Sequence, residues 1–150
     1  MYILRKANFK DNLDIFNWRN DETSRKMFFN TKKINWKDHC IWFESNLNNN
    51  QKCLLICSKE NNFKVAIIRF DLLKYKAKIS VNLNPSMRGK GHAVNCLNLS
   101  LEYLKNFYPN IKSIIAEIKS NNIVSIKTFE KIGFIFIKSK ENILHYEKKL

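Results

Sequence analysis

The spacing of hydrophobic residues predicts a strand and three helices in the first third of the chain. Asn35 can cap the longest helix, and three consecutive asparagines end it. The apolar positions that share one face of that helix are Trp36, Cys40, Phe43 and Leu47. An alternating stretch at the N-terminus is typical of a strand, and Asp11 can cap the first helix. The predicted elements are a strand over 2–6 and helices over 11–18, 22–29 and 36–47.

From residue 52 onward the apolar pattern changes to the shorter period of strands. Three neighbouring runs with brief polar connections predict an antiparallel meander. An apolar stripe then predicts a long helix that ends near Tyr108, formed by Ala93, Leu97, Leu101 and Leu104. After it we predict alternating strands and a helix that Gly133 ends. The predicted strands are 53–58, 63–72, 77–83, 111–119, 134–138 and 142–148, and the last helix is 122–132.

This order of elements predicts one α+β domain over residues 1–150, with a central mixed sheet of six or seven strands, mostly antiparallel, flanked by helices. No internal repeat or linker divides the chain. With 150 residues, of which 45% are hydrophobic and 13% aromatic, the chain can bury one core.

The net charge of +14 does not by itself indicate a nucleic-acid-binding protein. Lysines are scattered along the whole chain, and no arginine-rich helix, zinc finger or aromatic-glycine RNA motif accompanies them. We therefore predict no nucleic-acid partner, although a basic RNA- or ribosome-associated module is the non-enzyme alternative. The excess charge suits a small ligand that carries phosphates.

The N-terminus and the cysteines predict a cytoplasmic protein. No run of eighteen apolar residues predicts a membrane span, and the first residues do not resemble a secretory signal. The four cysteines form no CxxC pair and have no metal-ligand spacing, so we predict free thiols and no bound metal.

The stretch 82–94 is the strongest local signal, because Gly89 and Gly91 are two of the only three glycines. It joins a predicted strand to the start of a predicted helix, where free N–H groups and the helix dipole favour an anion. Arg88 and Lys90 add positive charge there. The alternative is a simple strand-to-helix turn with basic residues in solvent.

Two motifs in this chain resemble those of the GNAT N-acetyltransferase superfamily. The segment Arg88-Gly-Lys-Gly-His-Ala93 is similar to the pattern R/Q-x-x-G-x-G/A. The second signature, N-x-x-S/A-x-x-x-Y/F-x-K-x-G-F, is matched by Asn122-Ile-Val-Ser125-Ile-Lys-Thr-Phe129-Glu-Lys131-Ile-Gly133-Phe134. The resemblance implies the GNAT fold over the whole chain, with two splayed strands that form a groove for acetyl-CoA.

The resemblance also implies how the coenzyme is held. The backbone N–H groups that would bind the pyrophosphate belong to Arg88, Gly89, Lys90, Gly91, His92 and Ala93. The strand that ends at Asn82 and Leu83 would run beside the pantetheine arm. The second signature implies coenzyme contacts from Asn122, Ser125, Phe129 and Lys131.

For catalysis, the resemblance points to Glu117, five residues before Asn122, where GNAT members similar to ribosomal-protein acetyltransferases carry a catalytic glutamate. The alternative for Glu117 is a solvated strand residue. Phe129 stands where a tyrosine acid is common, so Tyr146 or a water is expected to protonate the thiolate. His39 is a second candidate base, with a packed histidine as its alternative.

The N-terminal half resembles acetyltransferase domains that act on nucleotide-linked amino sugars, of the pseudaminic-acid and flagellin-glycosylation type. This resemblance rests on the pattern W-x-N-[DE]-x-x-x-R followed by H-x-x-W-F. A diphosphate suits arginines, and a uracil ring suits aromatic stacking. The expected acceptor residues are Trp18, Arg19, Asn20, Arg25, Phe28, His39, Trp42 and Arg69. The alternative is that the aromatic residues are core and the arginines form salt bridges.

The sequence therefore predicts an acetyl-CoA-dependent N-acetyltransferase, monomeric or homodimeric, that acetylates a nucleotide-linked amino sugar by direct transfer in a ternary complex. No cysteine stands next to an activating base, as a covalent intermediate would require. Two further alternatives are a GNAT enzyme that acts on a peptide or protein N-terminus and a GNAT fold that binds acyl-CoA without catalysis.

Overall fold

The computed structural model describes all 150 residues except the side chain of Asn61. Its helices are α1 (Asn12–Asn20), α2 (Glu22–Met27), α3 (Trp36–Leu47), α4 (His92–Phe107) and α5 (Ile123–Lys131). Its strands are β1 (Ile3–Lys6), β2 (Lys52–Lys59), β3 (Phe63–Leu73), β4 (Lys76–Leu83), β5 (Ser113–Lys119), β6 (Ile135–Lys140) and β7 (Ile143–Lys149). The predicted elements are thus confirmed in kind and order, and α2 is shorter than predicted because Phe28 is already extended.

All seven strands form one sheet in the order β1-β2-β3-β4-β5-β7-β6. Every neighbouring pair is antiparallel except β4 and β5, which run parallel. The predicted α+β class and mostly antiparallel mixed sheet are confirmed. The predicted meander is β2-β3-β4.

Helices cover both faces of the sheet. On one face α4 and α5 pack over a core that includes Phe70, Leu97, Leu104 and Ile114. On the other, which we call the α1/α3 face, side chains of α1 and α3 pack on β2 and β3 in a smaller cluster. That cluster consists of Ile15, Trp18, Phe43, Leu54, Ile56 and Ile67. Alternation along β3 and β4 decides which polar side chains share the α1/α3 face.

Asp11 does not cap α1 as predicted, because its side chain makes no capping hydrogen bond to that helix. Its fully buried carboxylate instead takes two bonds from the Arg5 guanidinium, at 2.8 and 2.7 Å, and lies 2.9 Å from Lys64 Nζ. It also accepts from the N–H of Asn8 at 2.8 Å. The carboxylate therefore ties β1, β3 and the start of α1 together.

The parallel pair β4–β5 is short, and its end positions the candidate site. Residues 76–79 of β4 pair with residues 113–116 of β5, and the pairing stops at Ile79 and Ala116. Residues 80–83 continue to pair with β3, and residues 117–119 continue to pair with β7. The two strands therefore separate, which opens a gap in the middle of the sheet.

Among the described residues, no helix is long and apolar enough to span a membrane.

Candidate active site at the separation of two strands

The β4 edge of the gap carries backbone groups that lack a strand partner. The N–H of Asn84 donates to the C=O of Val65 at 2.8 Å, which fixes the phase of the β3–β4 ladder. Because backbone groups alternate in an antiparallel ladder, those of Val81 and Leu83 point toward β5, where the pairing has ended. Such an edge can bind the amides of an extended ligand.

The glycine corner lies at the end of β4 and leads directly into α4. Gly89 and Gly91 have φ values of +71° and +79°, and an added Cβ would meet nothing within 4 Å at either position. Glycine is therefore required there by backbone conformation and not by internal packing. Gly91 is the cap residue of α4 and supplies no side chain, so the first N–H groups of that helix remain available to an anion.

The side chains around this corner are arranged differently from the sequence-based expectation. Arg88 turns away from the corner, with its Nη2 2.5 Å from Asp21 Oδ2 and in contact with Ser24 Oγ. The His92 ring is held by the Tyr2 hydroxyl at 2.5 Å, on the side of β1. Among the described basic side chains of the corner, only the exposed Lys90 makes no such contact. The prediction that Arg88 adds free positive charge to the corner is therefore corrected, because Asp21 neutralises it.

Glu117 is the first residue of β5 beyond the last β4–β5 pair, and its side chain is on the α1/α3 face. Its Oε2 lies 3.2 Å from Lys78 Nζ, and the glutamate side chain keeps a quarter of its surface exposed. Ser80 holds the equivalent position on β4, on the same face. The gap therefore has a carboxylate at its opening.

Two arginines share the indole of Trp42 on the same face. The guanidinium carbon of Arg19 lies 4.4 Å from the ring centre, and that of Arg69 lies 5.7 Å from it. Among the described side chains Arg19 has no carboxylate partner, and its Nη1 lies 3.5 Å from His39 Nδ1. Burial, and then the charge of Arg69, lower the pKa of the Arg19 guanidinium. The pair therefore places two positive charges against one indole ring.

Asp71 neutralises this pair only in part. Its Oδ1 lies 3.3 Å from Arg69 Nε, without the angle of a hydrogen bond, and 2.9 Å from Lys52 Nζ. One carboxylate therefore serves Lys52 and Arg69 together. The local balance around Trp42 remains positive.

Arg69, the strand member of the arginine pair, lies in one row with Ser80 and Glu117 across three strands. Arg69 pairs with Ser80 in the β3–β4 register, and Ser80 is the counterpart of Glu117 across the gap. Two paired-strand spacings of roughly 4.8 Å each would put the Cα atoms of Arg69 and Glu117 about 10 Å apart, and because β4 and β5 have separated here this value is a lower limit. A single small molecule can therefore reach both.

His39 is fully buried, and this place does not fit the expected role of a base. Its ring is stacked on Phe43 and packed against Phe16 and Trp42. Burial, followed by the charge of Arg19, lowers the pKa of His39, so the imidazole is neutral. A neutral ring enclosed in this way can position Arg19 but cannot reach an acceptor.

Tyr146 faces the opposite side of the sheet from Glu117, so its expected role as the acid is corrected. It is buried in the core beneath α4 and α5, and its hydroxyl lies 3.3 Å from Glu130 Oε2 near the end of α5. The gap adjoins the start of α5, and Ile123 and Glu130 are about 10 Å apart along the helix axis. The hydroxyl is therefore remote from the gap.

The second signature mainly builds α5. The Asn122 Oδ1 accepts from the N–H of Ser125 at 3.3 Å and caps the helix beside the gap. Phe129 is buried edge-on against Phe134, and Lys131 is exposed in the last turn. Asn122 and Ser125 thus stand at the start of α5, and the coenzyme contacts expected of these four residues stay predictions.

Side chains of the motif W-x-N-[DE]-x-x-x-R also stabilise the local structure. The Asn20 amide donates to the C=O of Ile34 at 2.8 Å and accepts from its N–H at 2.9 Å. The Arg25 guanidinium donates to the carbonyls of Asn20 and Thr31, both at 3.2 Å. Trp18 is core, and Phe28 is half-buried. These contacts fix the segment before α3, and the expected contact of Arg25 with a diphosphate stays a prediction.

Lys78 and Ser80 were missed in the sequence, although a signal for them existed. Residues 76–83 alternate cleanly between polar and apolar side chains, which predicts one polar strand face. The partnership of Asp21 with Arg88 had no such signal, because the two residues are far apart in sequence.

The part of the chain that the structure describes holds no group of three His, Cys, Asp or Glu side chains that could bind a metal ion. The gap and the glycine corner are instead built from backbone N–H groups. These suit a phosphate-bearing, extended coenzyme better than a metal.

Comparison with known proteins agrees with this geometry. The uncharacterized protein MJ1062 of Methanocaldococcus jannaschii is 30% identical to this chain in an alignment 154 residues long. The alignment covers 99% of this chain and 31% of that protein. The chain thus spans about a third of the length of that curated relative.

Solved structures show the same fold. A domain from Methanocaldococcus jannaschii superposes with a TM-score of 0.87 at 29% identity, covering 100% of this chain and 99% of the other. The spermidine N-acetyltransferase from Vibrio cholerae, in complex with CoA and spermine, gives a TM-score of 0.88 at 14% identity and covers 99% and 95%. At that identity the second match is evidence for the fold alone.

A family description, acetyltransferase (GNAT) domain, matches residues 2–135 of the chain. This match covers both the glycine corner and the separated strands. The chain therefore belongs to the family of GNAT acetyltransferase domains and is an N-acetyltransferase domain.

Proposed function

We propose that this domain transfers the acetyl group of acetyl-CoA directly to the amino group of a nucleotide-linked amino sugar. The observation that carries the acceptor class is the pair Arg19 and Arg69 on Trp42, of which Arg69 is in the same strand row as Glu117. Among the described side chains Arg19 has no carboxylate partner, and Arg69 shares Asp71 with Lys52, so the pair keeps a positive charge that suits a diphosphate.

The coenzyme part of the proposal rests on the corner and the gap. The pyrophosphate binds the N–H groups of residues 88–93 and the start of α4, with Lys90 nearby. The pantetheine arm lies along the β4 edge, where the backbone groups of Val81 and Leu83 can pair with its amides. This arrangement brings the thioester to the point where Glu117 and Ser80 face each other.

The reaction balances with groups of this chain and solvent. The acceptor nitrogen attacks the thioester carbonyl carbon, and an N–H group of the β4 edge stabilises the oxyanion. Glu117 takes the proton that the nitrogen loses, directly or through one water. The C–S bond then breaks, and the coenzyme thiolate takes its proton from solvent, since Phe129 and Tyr146 do not supply one.

The acceptor geometry favours a sugar nucleotide over a polyamine. The amine must lie at Glu117 and the anionic group at the arginine pair, at least about 10 Å away by strand spacing. A uracil ring or a sugar can pack on the remaining surface of Trp42. A polycation would meet two guanidiniums and an overall charge of +14.

A coenzyme-release assay with acetyl-CoA tests this function. The acceptors are UDP-linked 4-amino-4,6-dideoxy sugars, the free amino sugars, short peptides with free N-termini, and spermidine. Turnover restricted to the nucleotide sugars supports the proposal. Turnover with peptides or spermidine alone contradicts it.

The arginine pair has its own test in the same assay. We expect Arg19→Gln and Arg69→Gln each to raise the acceptor KM by about ten- to a hundredfold, because each removes charge-assisted hydrogen bonds to an anion. Lys37→Gln, which removes an exposed charge from α3, is the matched control and should change the KM little. Equal effects of all three changes would contradict a specific anion site.

The cellular location proposed for this domain is the cytoplasm. Its four cysteines are free, and three of them are buried, which fits a reducing compartment.

A further inference from the structure

Helix α2 contacts three separate pieces of the proposed coenzyme groove. Ser24 Oγ donates to Asn82 Oδ1 on β4 at 3.2 Å. Lys119 Nζ on β5 donates to the C=O of Lys26 at 3.1 Å. Because β4 and β5 have separated at these residues, α2 spans the gap on the α1/α3 face. The third contact is with the glycine corner.

That third contact joins Arg88, the first residue of the corner, to Asp21. Asp21 is also the cap of α2, where its carboxylate accepts from the N–H of Ser24 at 3.0 Å. Burial alone would raise the pKa of Asp21, but the Arg88 hydrogen bond and the cap outweigh it and lower that pKa. The carboxylate is therefore ionised and paired at neutral pH.

We infer that Arg88 is a positioning residue that fixes the coenzyme corner on α2 through Asp21 and Ser24, and does not bind the coenzyme phosphates through its guanidinium. This inference rests on the proposed coenzyme site. It also links coenzyme affinity to the N-terminal half, which holds most of the proposed acceptor residues, because Asp21 is only two residues from Arg19.

Two contacts hold one end of the Arg88 guanidinium against α2. The Arg88 guanidinium bonds to Asp21 and Ser24 through the same nitrogen, and Ser24 is buried at 7% exposure. Turning that guanidinium toward the corner would leave the Asp21 carboxylate without its cation. The phosphates are then left to the backbone N–H groups and Lys90.

Asp21→Asn separates the two roles of Arg88. Asparagine is as good a helix cap as aspartate, so α2 keeps its start while the ion pair with Arg88 is lost. If Arg88 positions the corner, Asp21→Asn and Arg88→Gln each weaken acetyl-CoA binding by about three- to thirtyfold in calorimetric titration. The double variant then binds no more weakly than either single variant. Arg88→Lys restores part of the affinity.

The control is Glu22→Gln, which removes a carboxylate from the same helix that pairs only with the exposed Lys26 at 3.6 Å. It should bind acetyl-CoA like the wild type. If Arg88 binds phosphate directly, Arg88→Gln loses affinity while Asp21→Asn keeps or gains it, and the inference is overturned. Wild-type protein that binds no acetyl-CoA overturns the proposed coenzyme site and this inference with it, whereas normal binding by both single variants overturns the inference alone.

Discussion

At the scale of single residues, the proposed chemistry depends on one carboxylate. Glu117 is held at the opening of the gap by two independent facts: the β4–β5 pairing ends one residue earlier, and Lys78 holds its side chain at 3.2 Å. A carboxylate at this place can take a proton from an amine that approaches the thioester.

We expect Glu117→Gln to lower kcat by about a hundred- to a thousandfold while the acetyl-CoA KM stays nearly unchanged, because the amide cannot accept the proton. Steady-state kinetics with saturating acceptor measures both values. Glu147→Gln is the matched control, since Glu147 is also paired with a lysine, Lys76, at 3.1 Å on the same side of the sheet. A similar loss in both variants would count against a base at Glu117.

We expect Tyr146→Phe to keep kcat within about threefold, because its hydroxyl points to Glu130 on the opposite face of the sheet. Losing that one bond should cost about 1 kcal/mol of unfolding free energy. Thermal unfolding and steady-state kinetics on the same preparation separate the two effects. A kcat more than ten times lower would restore the tyrosine as the acid.

At the scale of elements, a buried carboxylate, that of Asp11, joins the start of α1 to strands β1 and β3 of the sheet. Burial alone would raise the pKa of Asp11, but hydrogen bonds from Arg5, Lys64 and Asn8 hold it at about 2. This folded-state pKa is below the ordinary value of 3.8, so the ion pair stabilises the fold fully above about pH 4. Its contribution, on the order of 2 kcal/mol, is lost as the pH falls from about 4 to about 2.

We expect Asp11→Asn to lower the unfolding free energy by about 3 kcal/mol at pH 7, because Arg5 and Lys64 lose their shared buried partner. The variant should also lose less stability than the wild type between pH 5 and pH 2. Urea unfolding at several pH values measures both effects. Glu102→Gln on the exposed side of α4 is the control, and parallel acid curves for wild type and Asp11→Asn would refute the role of this carboxyl.

At the scale of the whole molecule, the charge of +14 acts on charged ligands from a distance. The screening length falls from about 30 Å at 0.01 M salt to about 10 Å at 0.1 M. Acetyl-CoA and a diphosphate-bearing acceptor are both anionic, so the field raises their rates of association.

We therefore expect kcat/KM for acetyl-CoA to fall about tenfold between 0.01 and 0.2 M salt, while kcat changes little, since steering affects association and not the chemical step. Initial-rate measurements over a salt series at constant pH test this. A kcat/KM that is independent of salt would mean that the scattered lysines do not guide the coenzyme.

Local patterns were sufficient to predict most of the fold. The stripe on α4 and the alternation along β4 each follow from the period of apolar residues, and the two corner glycines fit the left-handed backbone found there. Glu117 is a predicted base because of its distance from Asn122 in a motif that resembles a known one, and this role stays a prediction. In each case the physical cause lies within a few neighbouring residues or in a fixed spacing.

The tertiary structure decided what the sequence could not. Arg88 was expected to add charge to the corner, yet it pairs with Asp21, and Tyr146 was expected near the gap, yet it faces the other side of the sheet. Arg19 and Arg69 come from different elements and meet only because α3 places Trp42 between them. The sequence by itself determined the elements, the coenzyme corner and the polar faces, since these depend on local geometry. Which charges meet depends on how distant elements pack, and only the folded chain sets those distances.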